Sequence, residues 1–442
     1  MERQPDHVPS AEGATRRQFL RTAGLGAAGI AVSGPLLAAC KGSSTGSASA
    51  GTLKIGFVSP RTGAAAGFGE PDAYVLGLAR KAFSGGVTSG GKHYDVTIID
   101  KDGQSDPQRG AQVANDLIHG EQIDLMLTTS TPETVNPVSD ACEAAGVPCV
   151  STVVPWEAWY FGRGAKPGAA SPFKFTYHFC FGVQQFASAY TTMWPQVTTN
   201  KKVGVMWPND ADGNAIRGAL GPLLKKAGYT IVDPGAYTDG TNDYSSQIAK
   251  FKAEDCQIFN TFPIPPDFAT FWQQAAQQGY KPRIAQIAKT GLFPSQVVAL
   301  GSIGVDLAGG EYWGPTWPYS SSLTNISAKA LGDGYETSVG KQWNQQLGPS
   351  LALFDVANAA LKATSKPKAK AGLAKTIGSL EVSTVIGDLA WGKGPVPNVV
   401  ATPIIGGQWV ASSGGKYPLD FVVCENSSDK NVPVAATLKP YV

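Results

Sequence analysis

Residues 53–58 read LKIGFV, an apolar run interrupted only by Lys54 and Gly56. A short run that is apolar on both faces marks a strand buried inside a parallel sheet. A helix is expected from about 69 to 83, and a second strand at 94–99 (YDVTII). Ser105-Asp106-Pro107 then supplies an N-cap and an early proline for a helix running to His119. A third strand at 123–127, a helix from about 132 to 145 and a fourth strand at 147–151 follow. Strands separated by helical stretches fold as a doubly wound parallel α/β layer.

The alternation restarts at 202–206, which reads as a strand. The helix after it carries Ile216, Leu220, Leu223, Leu224 and Ala227 at helical spacing and ends at Gly228. Phe268, Phe271, Trp272, Ala275 and Ala276 form another such stripe, read as core packing, which stops at Gly279. The pattern describes two α/β lobes of similar build. Because 320–380 reads mostly helical and 399–410 returns to strand, the chain is expected to cross between lobes more than once.

The 442 residues carry 36 Lys and Arg against 34 Asp and Glu, a balance that gives no field for gripping nucleic acid or an anionic membrane surface. A hydrophobic fraction of 43% is enough to bury a large core, so a wholly disordered chain is excluded. Six cysteines are too sparse for a disulfide scaffold, and no Cys/His pairs have zinc-site spacing.

The first 39 residues read as an address. Thr15-Arg16-Arg17-Gln18-Phe19-Leu20 sets two arginines before a weakly apolar stretch, the layout of a twin-arginine export signal. Gly24, Gly26, Gly29, Gly34 and Pro35 make that stretch a poor membrane-spanning helix. It ends in Leu37-Ala38-Ala39-Cys40, which resembles the bacterial lipoprotein cleavage box, with Cys40 the residue that would carry lipid on its thiol. Residues 40–51, rich in Gly, Ser and Ala, then form a flexible tether. The expected location is the extracytoplasmic face of the membrane. Cys142 and Cys149 flank a helix-to-strand turn, a spacing at which they could pair.

No catalytic constellation emerges. The chain lacks H-E-x-x-H and C-x-x-C, and His7, His93, His119 and His178 are scattered. Gly86 to Lys92 has P-loop spacing, but His93 stands where a hydroxyl must bind magnesium, and the stretch precedes a strand instead of following one. Gly24 to Gly29 matches a dinucleotide fingerprint with no strand before it. An enzyme is not expected, nor a metal or other cofactor.

Several stretches together carry a resemblance. They are Leu53-Lys54-Ile55-Gly56-Phe57-Val58-Ser59-Pro60 with Phe68-Gly69-Glu70, Asp102-Gly103-Gln104-Ser105-Asp106-Pro107, Gly146-Val147-Pro148-Cys149-Val150-Ser151, Gly240-Thr241-Asn242-Asp243-Tyr244-Ser245, and Ile386-Gly387-Asp388-Leu389-Ala390-Trp391. In this order they resemble the leucine/isoleucine/valine-type periplasmic binding proteins. The resemblance implies a type I periplasmic binding fold, two lobes joined by three crossings that close around a small solute. Lobe one would comprise 52–175 and 316–385, and lobe two 176–315 and 386–442. It further implies delivery to the permease and ATPase subunits of an ABC importer. A sensor of the same fold, passing ligand occupancy to a signalling partner, stays open beside it.

The resemblance also nominates residues. Thr129, Ser130 and Thr131, at the end of a strand and the start of a helix, match the turn whose hydroxyls bind a ligand carboxylate. Phe68 falls where an aromatic side chain meets the ligand. Val153 and Trp156 lie on the second contact loop, and Trp207, Asp212, Ile264 and Lys289 on the lobe-two turns. Trp156, Trp159, Tyr160 and Trp207 gather at expected strand ends, as pocket walls or as lobe packing. The pattern also departs from the family. Pro155 replaces a hydroxyl, Asp212 a tyrosine, and Ala288-Lys289 the acidic residue that holds an ammonium. The expected ligand is therefore a neutral or anionic molecule with an apolar or aromatic body. Lys289 would then pair a carboxylate or point into solvent, and Asp212 could still hold an amine if it faces the cleft.

Overall fold

A computed structural model describes residues 49–441; the stretches expected to be an export leader and a tether, with Cys40, lie wholly or mostly outside the described residues. The strand opened by the LKIGFV run spans Thr52–Ser59 and lies inside a seven-stranded sheet. It pairs in parallel with Lys92–Asp102 on one side and Leu125–Thr129 on the other, Ile55 sitting opposite Ile98 and Leu125. Cys149–Thr152, Thr176–Phe179 and Val399–Val400 extend the sheet in parallel. At the far edge Val87–Ser89 returns antiparallel on Lys92–Asp102. The tight turn between them has Gly90 and Gly91 at φ 53° and 76°, the left-handed pair that a two-residue hairpin demands. The stretch with P-loop spacing is this hairpin.

A second seven-stranded sheet forms the other lobe. Its parallel strands are Thr230–Val232, Lys202–Met206, Ile258–Thr261, Ile284–Ile287 and Ala308–Glu311, and Ile405–Ala411 and Leu419–Glu425 close the edge antiparallel. Helices cover both layers, and Asp106 caps Pro107–Asn115 as expected, accepting from the Arg109 N–H at 2.7 Å. The helical block that follows the second passage of chain between the lobes contains Ala328–Val339, Leu347–Ala363 and Lys370–Ile377, and its longest helix packs on the first sheet. Leu347–Ala363 is apolar nearly all round and correspondingly buried, stacking Phe354 on Phe57 of the first sheet at 5.7 Å.

The lobe boundaries fall elsewhere than expected. Thr176–Phe179 belongs to the first sheet, so lobe one extends past 175. His178 locks it there, with Nδ1 2.8 Å from Ser151 Oγ, Nε2 2.8 Å from Val154 O, and the ring stacked on Trp159 at 4.9 Å. Burial pushes this imidazole down to about 3, so it is neutral. The expected strand at 399–410 is two strands in different sheets, with the chain leaving lobe one at 401–404. Gly387–Ala390, within the last stretch that carries the resemblance, forms a small hairpin with Glu381–Thr384 and does not cross between the lobes. Cys142 and Cys149 are both buried free thiols.

Three crossings therefore join the lobes, at 180–182, after Glu311, and at 401–404. The Cys180 N–H donates to Val400 O at 3.0 Å and the Thr402 N–H to Cys180 O at 3.2 Å. Phe181 of the first crossing stacks on Tyr312 of the second at 5.4 Å. Gly182 is required at the first, where a Cβ would collide with the Trp156 ring and the Glu157 carboxylate.

Glu311, at the start of the second crossing, is buried and accepts from Trp317 Nε1 at 2.8 Å. Burial pushes its carboxyl up from 4.5 to about 7, with the tryptophan bond opposing. The folded state thus keeps a proton that the unfolded chain releases, and its contribution to stability is lost as pH rises from about 4.5 through about 7. Glu311→Gln keeps the acceptor for Trp317 and cannot ionise. In urea unfolding the variant is expected to match the parent near pH 4.5 and to exceed it by up to about 3 kcal/mol at pH 8. A pH-independent difference would show that burial does not shift this group.

Candidate functional site

Where the parallel strands of both sheets end, their loops face one another across a cleft of about 510 Å³, part of it open to solvent. Carboxyl ends of parallel strands are where such folds gather binding groups. Lobe one sends in Phe68 from the turn after Thr52–Ser59, Thr131 from the end of Leu125–Thr129, and Val153 and Pro155 from beyond Cys149–Thr152. Lobe two sends in Asp212, Phe262 and Leu292, with Ala288 and Lys289 just past Ile284–Ile287. Phe181, Gly310, Tyr312 and Ile404 contribute from in or beside the three crossings.

The walls are mostly apolar, and Phe68, Phe181, Phe186, Phe262 and Tyr312 supply aromatic rings. From Tyr312 stacked on Phe181, ring contacts continue to Phe186 at 5.0 Å and from Phe186 to Phe262 at 5.1 Å, both edge-on. Such edge-to-face geometry is favoured by the ring quadrupoles. Phe68 meets Phe293 of the opposite lobe edge-on at 5.0 Å, so the lobes touch beside the cleft. Val153 has φ 67° and Ser130 φ 129°, conformations that cost L-residues roughly 1–3 kcal/mol and concentrate at ligand clamps.

The polar groups converge at one corner. Asp210 caps the Ala211–Lys226 helix, its Oδ1 accepting from the Gly213 N–H at 2.6 Å. Lys289 Nζ lies 3.3 Å from Asp210 Oδ2 and 2.9 Å from Asp212 Oδ2, and all three side chains are about nine-tenths buried or more. Burial alone would push the Lys289 ammonium down, but Asp212 and Asp210, with Glu133 beyond them, more than offset it and hold the proton tightly. Burial pushes the Asp212 carboxyl up, Asp210 and Glu133 adding to the effect and Lys289 opposing it. Asp212 Oδ1 is buried without a hydrogen-bond partner. Thr131 begins the Pro132–Ala145 helix, and its hydroxyl makes no capping bond.

Of the residues nominated from sequence, Phe68, Thr131, Val153, Asp212 and Lys289 line the cleft. Lys289 neither points into solvent nor offers an unpaired charge, because two carboxylates reach it first. Asp212 does face the cleft. Thr129 accepts from Gln346 Nε2 at 2.6 Å and so ties the strand to the helical block instead. Ser130 is buried one residue short of the cleft, with its hydroxyl unpartnered. Trp207 lies in the interior of lobe two because its Nε1 donates to Asn260 Oδ1 at 2.9 Å on the neighbouring strand. Trp156 leans on Phe161 at 5.7 Å, and Trp159 and Tyr160 pack with Phe173. Ile264 caps the Pro265–Gln277 helix, and Phe262, two residues earlier, takes the place on the wall. Sequence reasoning missed Phe181, Phe186, Tyr312 and Ile404; the available signal was an aromatic or branched residue at or beside each crossing.

Two α/β lobes, three adjacent crossings and a cleft between the lobes at the strand ends define a bilobal solute-binding protein. Residues 52–411 match the family described as periplasmic binding protein, and the chain belongs to it. A curated relative, Leu/Ile/Val-binding protein homolog 8 of Brucella abortus, is 24% identical over 281 residues, 62% of this chain and 66% of the relative. The match thus spans just under two thirds of that relative's length. The fold is similar to the branched-chain amino acid transporter substrate-binding protein LivJ of Streptococcus pneumoniae in complex with isoleucine, at TM-score 0.64 and 16% identity over 84% of this chain and 99% of that one. It is equally similar to an ABC-transporter solute-binding protein of Rhodopseudomonas palustris in complex with 3,4-dihydroxybenzoic acid, at TM-score 0.66 and 17% identity over 86% and 98%. Family membership implies an extracytoplasmic location. No helix among the described residues is long and apolar enough to cross a membrane.

Removing one partner from a buried ion pair strands the other charge, at a cost of about 3–5 kcal/mol. Lys289→Met leaves two buried carboxylates facing each other and is expected to lose that much in urea unfolding at pH 7. Asp212→Asn leaves the Lys289–Asp210 contact in place and is expected to lose clearly less. Equal losses from the two would argue against a shared lysine.

Proposed function

We propose that this protein is the solute-capturing lipoprotein of an ABC importer, exported, anchored through Cys40, and closing on a small organic solute that it hands to a permease. The observation that carries the reading is the cleft itself, with apolar walls supplied by both lobes and the crossings, and with the buried Lys289–Asp212 pair and Thr131 among its few polar groups. A ligand that touches both lobes stabilises the closed arrangement over the open one, which is all a permease needs in order to read occupancy. The relatives named as Leu/Ile/Val-binding homologues and the neighbours described with bound isoleucine or hydroxylated benzoic acid support a small organic solute of this size class. The leader, with its paired arginines before Leu37-Ala38-Ala39-Cys40, supports export and anchoring.

The corner favours a solute without ionised groups. One lysine is already matched by two carboxylates, with Glu133 adding to the negative field, so an anionic head is repelled. An apolar or aromatic body suits the walls.

A thermal-shift screen of amino acids, carboxylates and amides, followed by calorimetry of the hits, tests the capture role. A true ligand at a hundredfold excess over its Kd adds about 2.7 kcal/mol of apparent stability. Tight binding of leucine, isoleucine, valine or phenylalanine, lost on Asp212→Ala, would replace the uncharged solute with an amino acid. For the anchor, Cys40→Ser is expected to leave export intact and release the protein from membranes. Retention of the variant in the membrane fraction after a salt wash would refute lipidation at Cys40.

A further inference from the structure

The polar corner can be read as a hydrogen-bond pattern. A lysine ammonium has three N–H donors. Two point toward Asp212 Oδ2 and Asp210 Oδ2, and no third acceptor lies on Nζ among the described residues. Lys289 lines the cleft while only 8% exposed, so a donor without a protein acceptor borders the space where a solute would lie. Asp212, 3% exposed and lining the same cleft, has Oδ1 buried with no donor on it. A buried polar atom without a partner costs free energy until something supplies one. Thr131 adds a hydroxyl that does not cap its own helix.

We infer that the solute is a neutral primary carboxamide on an apolar or aromatic body, its carbonyl accepting from Lys289 and its NH2 donating to Asp212 and Thr131. The inference rests on the capture role and narrows the solute class. Other head groups leave the pattern incomplete. A carboxylate accepts from Lys289 but brings a second negative charge against Asp212 Oδ1. An ammonium donates to Asp212 but leaves the third Lys289 N–H without an acceptor and sets two cations beside each other. A zwitterionic amino acid offers both an acceptor and a donor but brings a full negative charge beside Asp212 and a full positive charge beside Lys289, whereas a primary amide offers one acceptor and two donors on one planar group with no ionised atom.

Benzamide, benzoate and benzylamine share one ring and differ only at the head, so calorimetry of the full chain at pH 7.5 separates the cases. Benzamide is expected to bind about tenfold or more tightly than either charged analogue. Asp212→Asn, which keeps the Lys289–Asp210 contact and removes one negative charge, is expected to cut the preference for benzamide over benzoate by about tenfold. A purely structural role for Asp212 would weaken all three probes alike and overturn the inference. Benzoate binding more tightly than benzamide in the parent, with a proton taken up from buffer, would overturn it by making Asp212 a donor. Benzylamine binding most tightly would overturn it in favour of an amine. These results leave the capture role standing. If neither the three probes nor their isobutyl counterparts bind at all, the capture role falls with the inference.

Discussion

Three passages of chain lie side by side between the lobes, and their mutual contacts fix the rest. The first and third are hydrogen-bonded through Cys180, Val400 and Thr402, and the first and second are joined by the stacked rings of Phe181 and Tyr312. The second is in turn tied to the helical block, where the Tyr312 N–H donates to Gln345 Oε1 at 3.0 Å and Gln345 Nε2 to Gly310 O at 3.0 Å. Backbone that passes between two bodies has few neighbours to satisfy it, and here the crossings satisfy one another. Because both sheets end their parallel strands toward these passages, the loops that follow the strands have one place to meet. The aromatic wall continues the hinge. Phe181, Tyr312 and Ile404 are hinge-region residues that also face the solute space, so movement of the lobes and filling of the cleft act on the same side chains.

Strands buried on both faces and helices with one apolar stripe announce themselves through local periodicity. The alternation from Thr52 to Thr152 was therefore legible, and with it the doubly wound class. Lobe membership was not, because a short strand carries no label for its sheet. Thr176–Phe179 contains a histidine kept neutral by its burial against Trp159 and positioned by Ser151 and Val154. The stretch 399–410 looks like one strand because the break at 401–404 is made by a change of partner.

The site shows the same division. Residues that follow a strand end within a recognisable turn, such as Thr131, Val153 and Asp212, could be nominated from pattern and resemblance. Aromatic residues could not be sorted, since Trp207 and Phe262 both follow lobe-two strands. The difference between them is a hydrogen bond from one indole to Asn260 on an adjacent strand, 53 residues away. Lys289 was the most misleading. Read alone it is a cation in the cleft, but folding brings Asp210 and Asp212 from 79 and 77 positions earlier in the chain and reverses the sign of the corner.

That reversal bears on how closure is balanced. The Lys289 cluster belongs to lobe two, held by the first turn of the Ala211–Lys226 helix, where the helix dipole favours carboxylates. Glu133 belongs to lobe one, in the first turn of the helix that Thr131 begins, and it raises the proton affinity of both Asp212 and Lys289. Closing the lobes therefore brings like charges nearer across the cleft, a cost that grows as water leaves. Direct contacts offset part of it. Phe68 packs on Phe293, Gln342 Nε2 donates to Leu419 O at 2.7 Å, and Lys416 Nζ donates to Glu336 O at 3.2 Å. A lobe pair with large favourable contacts alone would stay shut and report nothing. Negative charge on both sides of the cleft works against such permanent closure, and a solute held on lobe two by the Lys289 donor and the Asp212 acceptor draws its differential free energy for closure from what lobe one adds, Thr131 and the apolar surface of Phe68 and Val153. A ligand shifts the equilibrium by no more than that difference. The buried cluster can thus act as both the recognition element and the spring that the bound solute must overcome.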